Sequence, residues 1–226
     1  SLGAPILGVT GKRVETTMNR RTFLRTAAAP FGAQALLTLL PAPAAAAAEK
    51  ITLAELSRYL NALTSAKADF TQINDDGTSS TGVVYIRRPG RVRFEYAPPD
   101  NALVMAGGGQ VAIFDAKSNQ PPTQYPLSRT PLSLILARDV DLSRADMVVG
   151  HFEDGPTTRV KVQDPENPEY GSIEMVFTAD PTELRQWIIR DDAGSETTVI
   201  LGELQQGMSL STSLFNIPFE AAKRTR

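Results

Sequence analysis

The chain has no cysteine, one histidine and one tryptophan among its 226 residues. Without cysteine, disulfides and thiolate metal sites are excluded, and the fold has to rest on its apolar core alone. With His151 as the lone histidine, no Ser-His-Asp arrangement can be supported with any specificity. His151 follows Gly150 and precedes Phe152, and reads as an exposed or loop residue. An excess of positive charge is also missing: 23 basic residues face 25 acidic ones, a formal net charge of −2. A nucleic-acid or anionic-membrane binder needs a basic footprint that this balance does not supply. No H-E-x-x-H, phosphate-loop or EF-hand pattern occurs. Gly107-Gly108-Gly109 lacks the lysine and following helix of a P-loop, and reads as a flexible hairpin turn. The acidic pairs Asp75-Asp76, Glu153-Asp154 and Asp191-Asp192 sit in glycine-containing turns, where aspartate is favoured for backbone reasons. A secreted hydrolase is therefore the least supported reading, and nothing in the sequence calls for a cofactor or metal.

Long hydrophobic runs are scarce too. From Met18 the chain reads Asn19-Arg20-Arg21-Thr22-Phe23-Leu24-Arg25, then an Ala/Leu stretch through Leu36, Leu37, Leu39 and Leu40, and it ends in Pro41-Ala42-Pro43 and five alanines. A basic start, a short apolar stretch and an Ala-x-Ala exit make residues 18–48 a secretory signal peptide. Pro30, Gly32, Gln34 and Pro41 interrupt it too often for a membrane span. Arg20-Arg21 before Phe23-Leu24 resembles a twin-arginine export address; a Sec signal with two adjacent arginines is the alternative. Residues 1–17 form an upstream extension without periodic pattern. Cleavage after Ala48 leaves residues 49–226 as one domain, large enough for a substantial core. That part keeps 18 basic and 24 acidic residues, a net charge of −6, suited to a monomer that stays in solution.

What is present is a change of period. Leu53, Leu56, Tyr59, Leu60 and Leu63 recur at helical spacing, with Thr52 and Glu55 placed as a capping box. Thereafter the period is two. Val92, Phe94 and Tyr96 alternate with Arg91, Arg93 and Glu95; Ile173, Met175 and Phe177 alternate with Ser172, Glu174 and Thr178; Phe215, Ile217 and Phe219 alternate with Asn216 and Glu220. Further short strands are expected near 68–74, 83–88, 102–106, 110–115, 159–163, 184–190 and 196–204. Such spacing indicates an antiparallel sheet with one apolar and one wet face, curling into a barrel or sandwich. One segment departs from it. Thr130-Pro131-Leu132-Ser133-Leu134-Ile135-Leu136-Ala137-Arg138 reads as a short helix with Thr130 as N-cap and Pro131 in its first position. Barely two turns long and apolar on nearly every side, it must bury Leu132, Leu134, Ile135 and Leu136 against the sheet.

The stretch from Val84 to Tyr96, with Arg88-Pro89-Gly90 between two alternating strands and Pro98-Pro99 after it, resembles the signature of the LolA family. Asp69-Phe70-Thr71-Gln72, Gly82, the hairpin from Gly108 through Phe114 and Asp115, Gln120, Thr130-Pro131-Leu132 and the late hairpin with Leu184, Trp187, Ile189, Asp191 and Gly194 fall in that family's order. So does Phe215-Asn216-Ile217-Pro218, and the resemblance spans residues 50–220. Three positions depart from the pattern: Phe94 stands where the family has tryptophan, Gly107 and Gly109 replace an aspartate and a lysine, and Ala112 replaces an aromatic.

The resemblance implies a mainly β fold: an incomplete, unclosed antiparallel β-barrel of about 11 strands, with an N-terminal helix and a short lid helix over its open side. It implies a periplasmic carrier without catalytic activity, which takes acylated lipoproteins from an inner-membrane ABC-type releasing complex and passes them to an outer-membrane acceptor. Arg88 corresponds to the family's lid latch, which donates to lid carbonyls in the empty form. Pro131, Leu132, Leu134, Ile135 and Leu136 form the lid. Phe70, Phe94, Tyr96, Ile113, Phe114, Trp187 and Ile189 are candidate cavity walls, although half of an alternating set faces water. The competing reading is a lipid-sensing regulatory domain of the same fold.

Overall fold

The computed structural model describes residues 50–224 apart from residues 119 and 145. The upstream extension and the signal peptide therefore lie outside the described residues. Twelve strands form: β1 (Ser65–Ile73), β2 (Ser79–Arg87), β3 (Arg91–Tyr96), β4 (Leu103–Gly107), β5 (Gln110–Phe114), β6 (Thr123–Pro126), β7 (Val148–Asp154), β8 (Thr157–Gln163), β9 (Ser172–Thr178), β10 (Glu183–Arg190), β11 (Glu196–Leu201) and β12 (Gln205–Gln206). They make one antiparallel sheet in the order β6-β5-β4-β3-β2-β1-β11-β10-β9-β8-β7, with β12 beside β1. The end strands β6 and β7 do not pair, so the sheet is open, the mainly β and unclosed architecture expected. The pairing β1–β11 joins two meanders, β1 to β6 and β7 to β11.

The sheet curls strongly, and one ring contact shows how strongly. Phe94 on β3 and Trp187 on β10 are separated by four strand-to-strand steps, about 19 Å across a flat sheet. Their ring centroids nevertheless lie 6.2 Å apart at an interplanar angle of 84°. The inner face is thus a trough whose two walls touch through aromatic side chains. Buried residues from both meanders, with those of two helices, form a single inner cluster.

The helix α1 (Leu53–Ala62) starts at the expected N-cap, with Thr52 Oγ1 accepting the Glu55 N–H at 3.2 Å, but the Glu55 carboxylate accepts from the Thr182 hydroxyl instead of closing the capping box. Its Leu56 and Leu60 are buried in the inner cluster. The helix α2 (Leu132–Ile135) is a single turn rather than the expected pair. Thr130 does not cap it: the hydroxyl donates backwards to the Leu127 carbonyl at 2.9 Å and closes a preceding 3-10 turn, Leu127–Arg129.

The terminal segment corrects the expected strand over Phe215–Phe219. A 3-10 turn, Thr212–Phe215, leads into a third helix, α3 (Ile217–Arg224). Asn216 Oδ1 accepts the Phe219 N–H at 2.8 Å, and the Asn216 carbonyl accepts from Glu220 at 3.0 Å. An asparagine cap followed by proline in the first turn is a helix start. β6 and β7 also lie outside the strands that alternation predicts. One is four residues long, and the other shifts register between Val148 and Gly150, so neither shows a clean alternation.

α3 packs on the opposite, outer face. Ile217 joins Leu103, Met105, Ala112 and Phe114 in a second, smaller cluster. Beside it Glu220 meets Arg93, Nη1 to Oε2 at 3.2 Å, while Arg93 Nε also bonds Glu95 at 2.6 Å. No helix among the described residues is long and apolar enough to cross a membrane.

Candidate functional site

The inner face carries the aromatic side chains that alternation aims inward. Phe70 on β1 meets Phe94 at 5.4 Å and Tyr96 at 5.2 Å, both edge to face. Phe94 continues the chain of rings to Trp187. Ile189 is buried in the same cluster and Ile113 is partly buried against it. Phe114 is different. Its neighbour Ile113 takes the inner position, so the pleat turns Phe114 outward beneath α3, where the Arg224 guanidinium lies 5.4 Å from its ring. Phe114 therefore lines no inner wall.

Over the trough lie α1 and α2. Leu56 and Leu60 from the first, and Leu132, Ile135 and Leu136 from the second, are all buried in the inner cluster; Leu134 is partly buried against it and Pro131 is buried. These leucines and isoleucine occupy the space between helices and sheet, so the described form is closed. Two hollows, of about 230 and 490 Å³, open elsewhere. One lies among the outward-facing Arg159, Lys161, Glu174 and Arg190, the other beside Thr71, Thr81, Val83 and Ile200.

Both helices end at the same turn. The last carbonyls of a helix have no intrahelical partner and carry partial negative charge. α1 has no basic residue in its last turn. Arg88, at the end of β2, supplies one from a distance: Nη1 donates to the Leu60 carbonyl and Nη2 reaches Asn61 Oδ1 at 3.3 Å. The other side of the fork serves the segment after α2. Arg88 Nε and Nη2 donate to the Ala137 carbonyl at 3.1 and 2.6 Å, and Nη2 reaches the Arg138 carbonyl at 3.3 Å. Gly90, in the left-handed region at φ +69°, gives its N–H to the Leu136 carbonyl at 2.8 Å. Partial burial pulls the Arg88 guanidinium below its ordinary pKa, opposed by the negative charge of Asp139.

A second tie is invisible in the sequence pattern. Asn61 Nδ2 donates to the Val140 carbonyl at 2.9 Å, and Asn61 Oδ1 accepts the Val140 N–H at 2.9 Å. One turn earlier, Ser57 Oγ accepts the Leu142 N–H at 2.9 Å. α1 and the segment following α2 are therefore bonded to each other as well as to the sheet. Tyr59 anchors the other flank of α1, its hydroxyl accepting the Leu184 N–H at 3.1 Å and its ring meeting Phe177 at 5.7 Å.

Of the titratable groups set aside above, His151, Asp76 and Asp154 have structural partners. His151 lies in β7 rather than in a loop, and its Nε2 meets the Ile51 carbonyl at 2.9 Å. Asp76 Oδ1 accepts the hydroxyl and N–H of Thr78, which hold its carboxyl below the usual value. Asp154 pairs with Arg159 at 2.7 Å. Among the described residues no group of three or more His, Cys, Asp or Glu is placed to hold a metal ion.

Residues 61–218 match the family model described as outer membrane lipoprotein carrier protein LolA. An outer-membrane lipoprotein carrier protein from Methylococcus capsulatus is 24% identical over 179 residues, covering 76% of this chain and 85% of that protein. One of the same name from Nitrosomonas europaea is 27% identical over 192 residues, 78% of this chain and 87% of the relative. Among solved structures, a LolA superfamily protein from Nitrosomonas europaea is 10% identical over 74% of this chain and 98% of its own, with a TM-score of 0.41. With most of the chain inside the family match, this protein belongs to the LolA family.

Proposed function

We propose that the protein is a periplasmic carrier: it shelters the acyl chains of lipoproteins released from the inner membrane and hands them to the outer membrane, without chemistry of its own. The observation that carries this reading is the Arg88 fork, which ties the ends of two helices over an apolar trough through hydrogen bonds alone. Acyl chains enter by displacing Leu56, Leu60, Leu132, Ile135 and Leu136 from the trough, an exchange of one apolar surface for another. Each methylene buried contributes about 0.8 kcal/mol, so several engulfed long chains would bind too tightly to be released. Opening the closed form offsets part of that gain, because bonds to a charged donor contribute about 1.5–3 kcal/mol each and must be given up on loading. The net negative charge of the chain keeps the loaded carrier off anionic membrane surfaces between the two steps. An ABC-type releasing complex and an outer-membrane acceptor are the partners that such a cycle requires. Incubating the purified protein with spheroplasts tests the reading. Acylated proteins should appear in the supernatant in a soluble complex with it; a supernatant free of them refutes the carrier.

A further inference from the structure

Buried polar groups in this fold are matched with care. Tyr96 donates to Gln72 at 2.7 Å, Gln72 to Asn74 at 2.6 Å, and Thr158 accepts the Ile51 N–H at 3.0 Å. Among the described residues, three buried side-chain polar atoms stand without a hydrogen-bond partner: Tyr125 Oη, Asp191 Oδ2 and Trp187 Nε1. Asp191 belongs to a turn, where its other oxygen accepts from Ala193 and Ser195. Tyr125 sits on the edge strand β6 and is only partly buried. Trp187 is the most deeply buried of the three residues. It is 1% exposed, in the middle of β10, between Met175 and Val199 on the neighbouring strands, within the inner apolar cluster.

An indole N–H is a donor only, and burying it unpaired costs desolvation free energy that a phenylalanine would not incur. The inner face uses phenylalanine freely: Phe70, Phe94 and Phe177 all lie in this cluster. The edge-to-face contact with Phe94 needs only a ring. Packing therefore does not call for the nitrogen. Acyl chains attached to a protein or to glycerol, by contrast, carry one carbonyl each, an acceptor that loses water when the chain enters an apolar trough.

We infer that Trp187 Nε1 is the hydrogen-bond donor of the binding site and takes an ester or amide carbonyl of the bound acyl group, so that the trough selects carbonyl-linked chains over plain hydrocarbon. This rests on the carrier reading and adds the polar contact it lacks. In the closed form the donor is unsatisfied; in the loaded form it is paired. The difference favours loading specifically by acylated cargo. The bond also fixes the depth of insertion, since the carbonyl marks where chain gives way to headgroup.

Trp187 is the chain's only tryptophan, so its indole N–H gives a single resonance in nitrogen-15-labelled protein. The test uses the full chain and two probes delivered on cyclodextrin: dipalmitoylglycerol, and dihexadecylglycerol, which has ether links and no carbonyl. The indole proton should move downfield and exchange more slowly with the ester lipid, and not with the ether lipid. Trp187→Phe should weaken ester-lipid binding about fivefold to tenfold more than it weakens ether-lipid binding, the range of one hydrogen bond. Equal indole responses to both lipids, or equal losses in the variant, overturn the inference while leaving the carrier reading intact. Binding of neither lipid by the wild-type protein overturns both. The wild-type resonance keeps the test decisive even where the variant folds poorly.

Discussion

Asn61 and Val140 pair as two residues of adjacent strands would, the side-chain amide standing in for a peptide group: Nδ2 donates to the Val140 carbonyl and Oδ1 accepts its N–H, both at 2.9 Å. The consequence is mechanical. α1 and the segment after α2 are bonded into one unit, and on the carrier reading loading has to lift them together or break this pair first.

Asn61→Ala should therefore loosen the cover without disturbing the sheet. Losing the two bonds to Val140 and the longer one from Arg88 at a partly exposed site costs about 1–2 kcal/mol of local stability. Amide exchange at Val140 and Leu142 should quicken by roughly five- to thirtyfold, the equivalent factor. Exchange in β8, β9 and β10 should stay as it is. Unchanged exchange at Val140 would show that the pair does not hold the cover.

This pair also marks where the sequence stops being legible. Thr52 and Glu55 announce α1 because capping is local, and Val92, Phe94 and Tyr96 announce an inner face because a strand has period two. The resemblance singled out Arg88, but not Asn61 or Ser57, whose partners lie 79 and 85 positions away with no local pattern to connect them. The terminal segment misleads for another reason. Phe215 and Phe219 are four apart, a spacing shared by strand and helix, and Ile217 between them completes a false alternation. The decisive residues were Asn216 and Pro218, a cap and a first-turn proline. Phe219 is 60% exposed, outside any inner stripe.

The outer face gives a second prediction. A methyl group added at Gly107 would come within 2.1 Å of the Phe215 carbonyl, a contact that only movement of the terminal segment can relieve. Gly107→Ala should cost on the order of 2 kcal/mol, as overpacking does. It should raise amide exchange along α3 while leaving α1 protected. A variant as stable as the parent, with α3 still protected, would mean that the segment is not tightly docked there.

The docking of α3 is also sensitive to acid. Burial alone would raise the Glu220 carboxyl, but hydrogen bonds from Arg224 and Arg93 outweigh it and hold the group below its ordinary value of 4.5. A carboxyl with a lowered pKa contributes stability that is fully present above the unfolded value. That stability disappears as the pH falls through the folded value. Glu220→Gln should accordingly cost about 1–2 kcal/mol near pH 7 and much less in acid. Urea midpoints of both proteins followed from about pH 7 down to about pH 2 decide it: a gap that stays constant or widens on acidification contradicts the assignment.

Arg88 bears most directly on transfer. Its fork meets the ends of both covering helices, and on the carrier reading proposed above its bonds exist only while the cover is down. Replacing it with leucine leaves the Leu60 and Ala137 carbonyls without that donor, and penalises the closed, empty form by on the order of 2 kcal/mol. The loaded form loses nothing comparable. The equilibrium between loaded and empty carrier then moves toward loaded by roughly thirtyfold. Arg88→Leu should take up acylated protein from spheroplasts normally and fail to pass it to outer-membrane vesicles. Arg88→Lys keeps a charge but not the planar fork that spans two carbonyl groups, and should fall between the two in a pulse of labelled lipoprotein followed over time. Full transfer by the leucine variant would remove Arg88 from the mechanism, and with it the idea that closing the cover drives release.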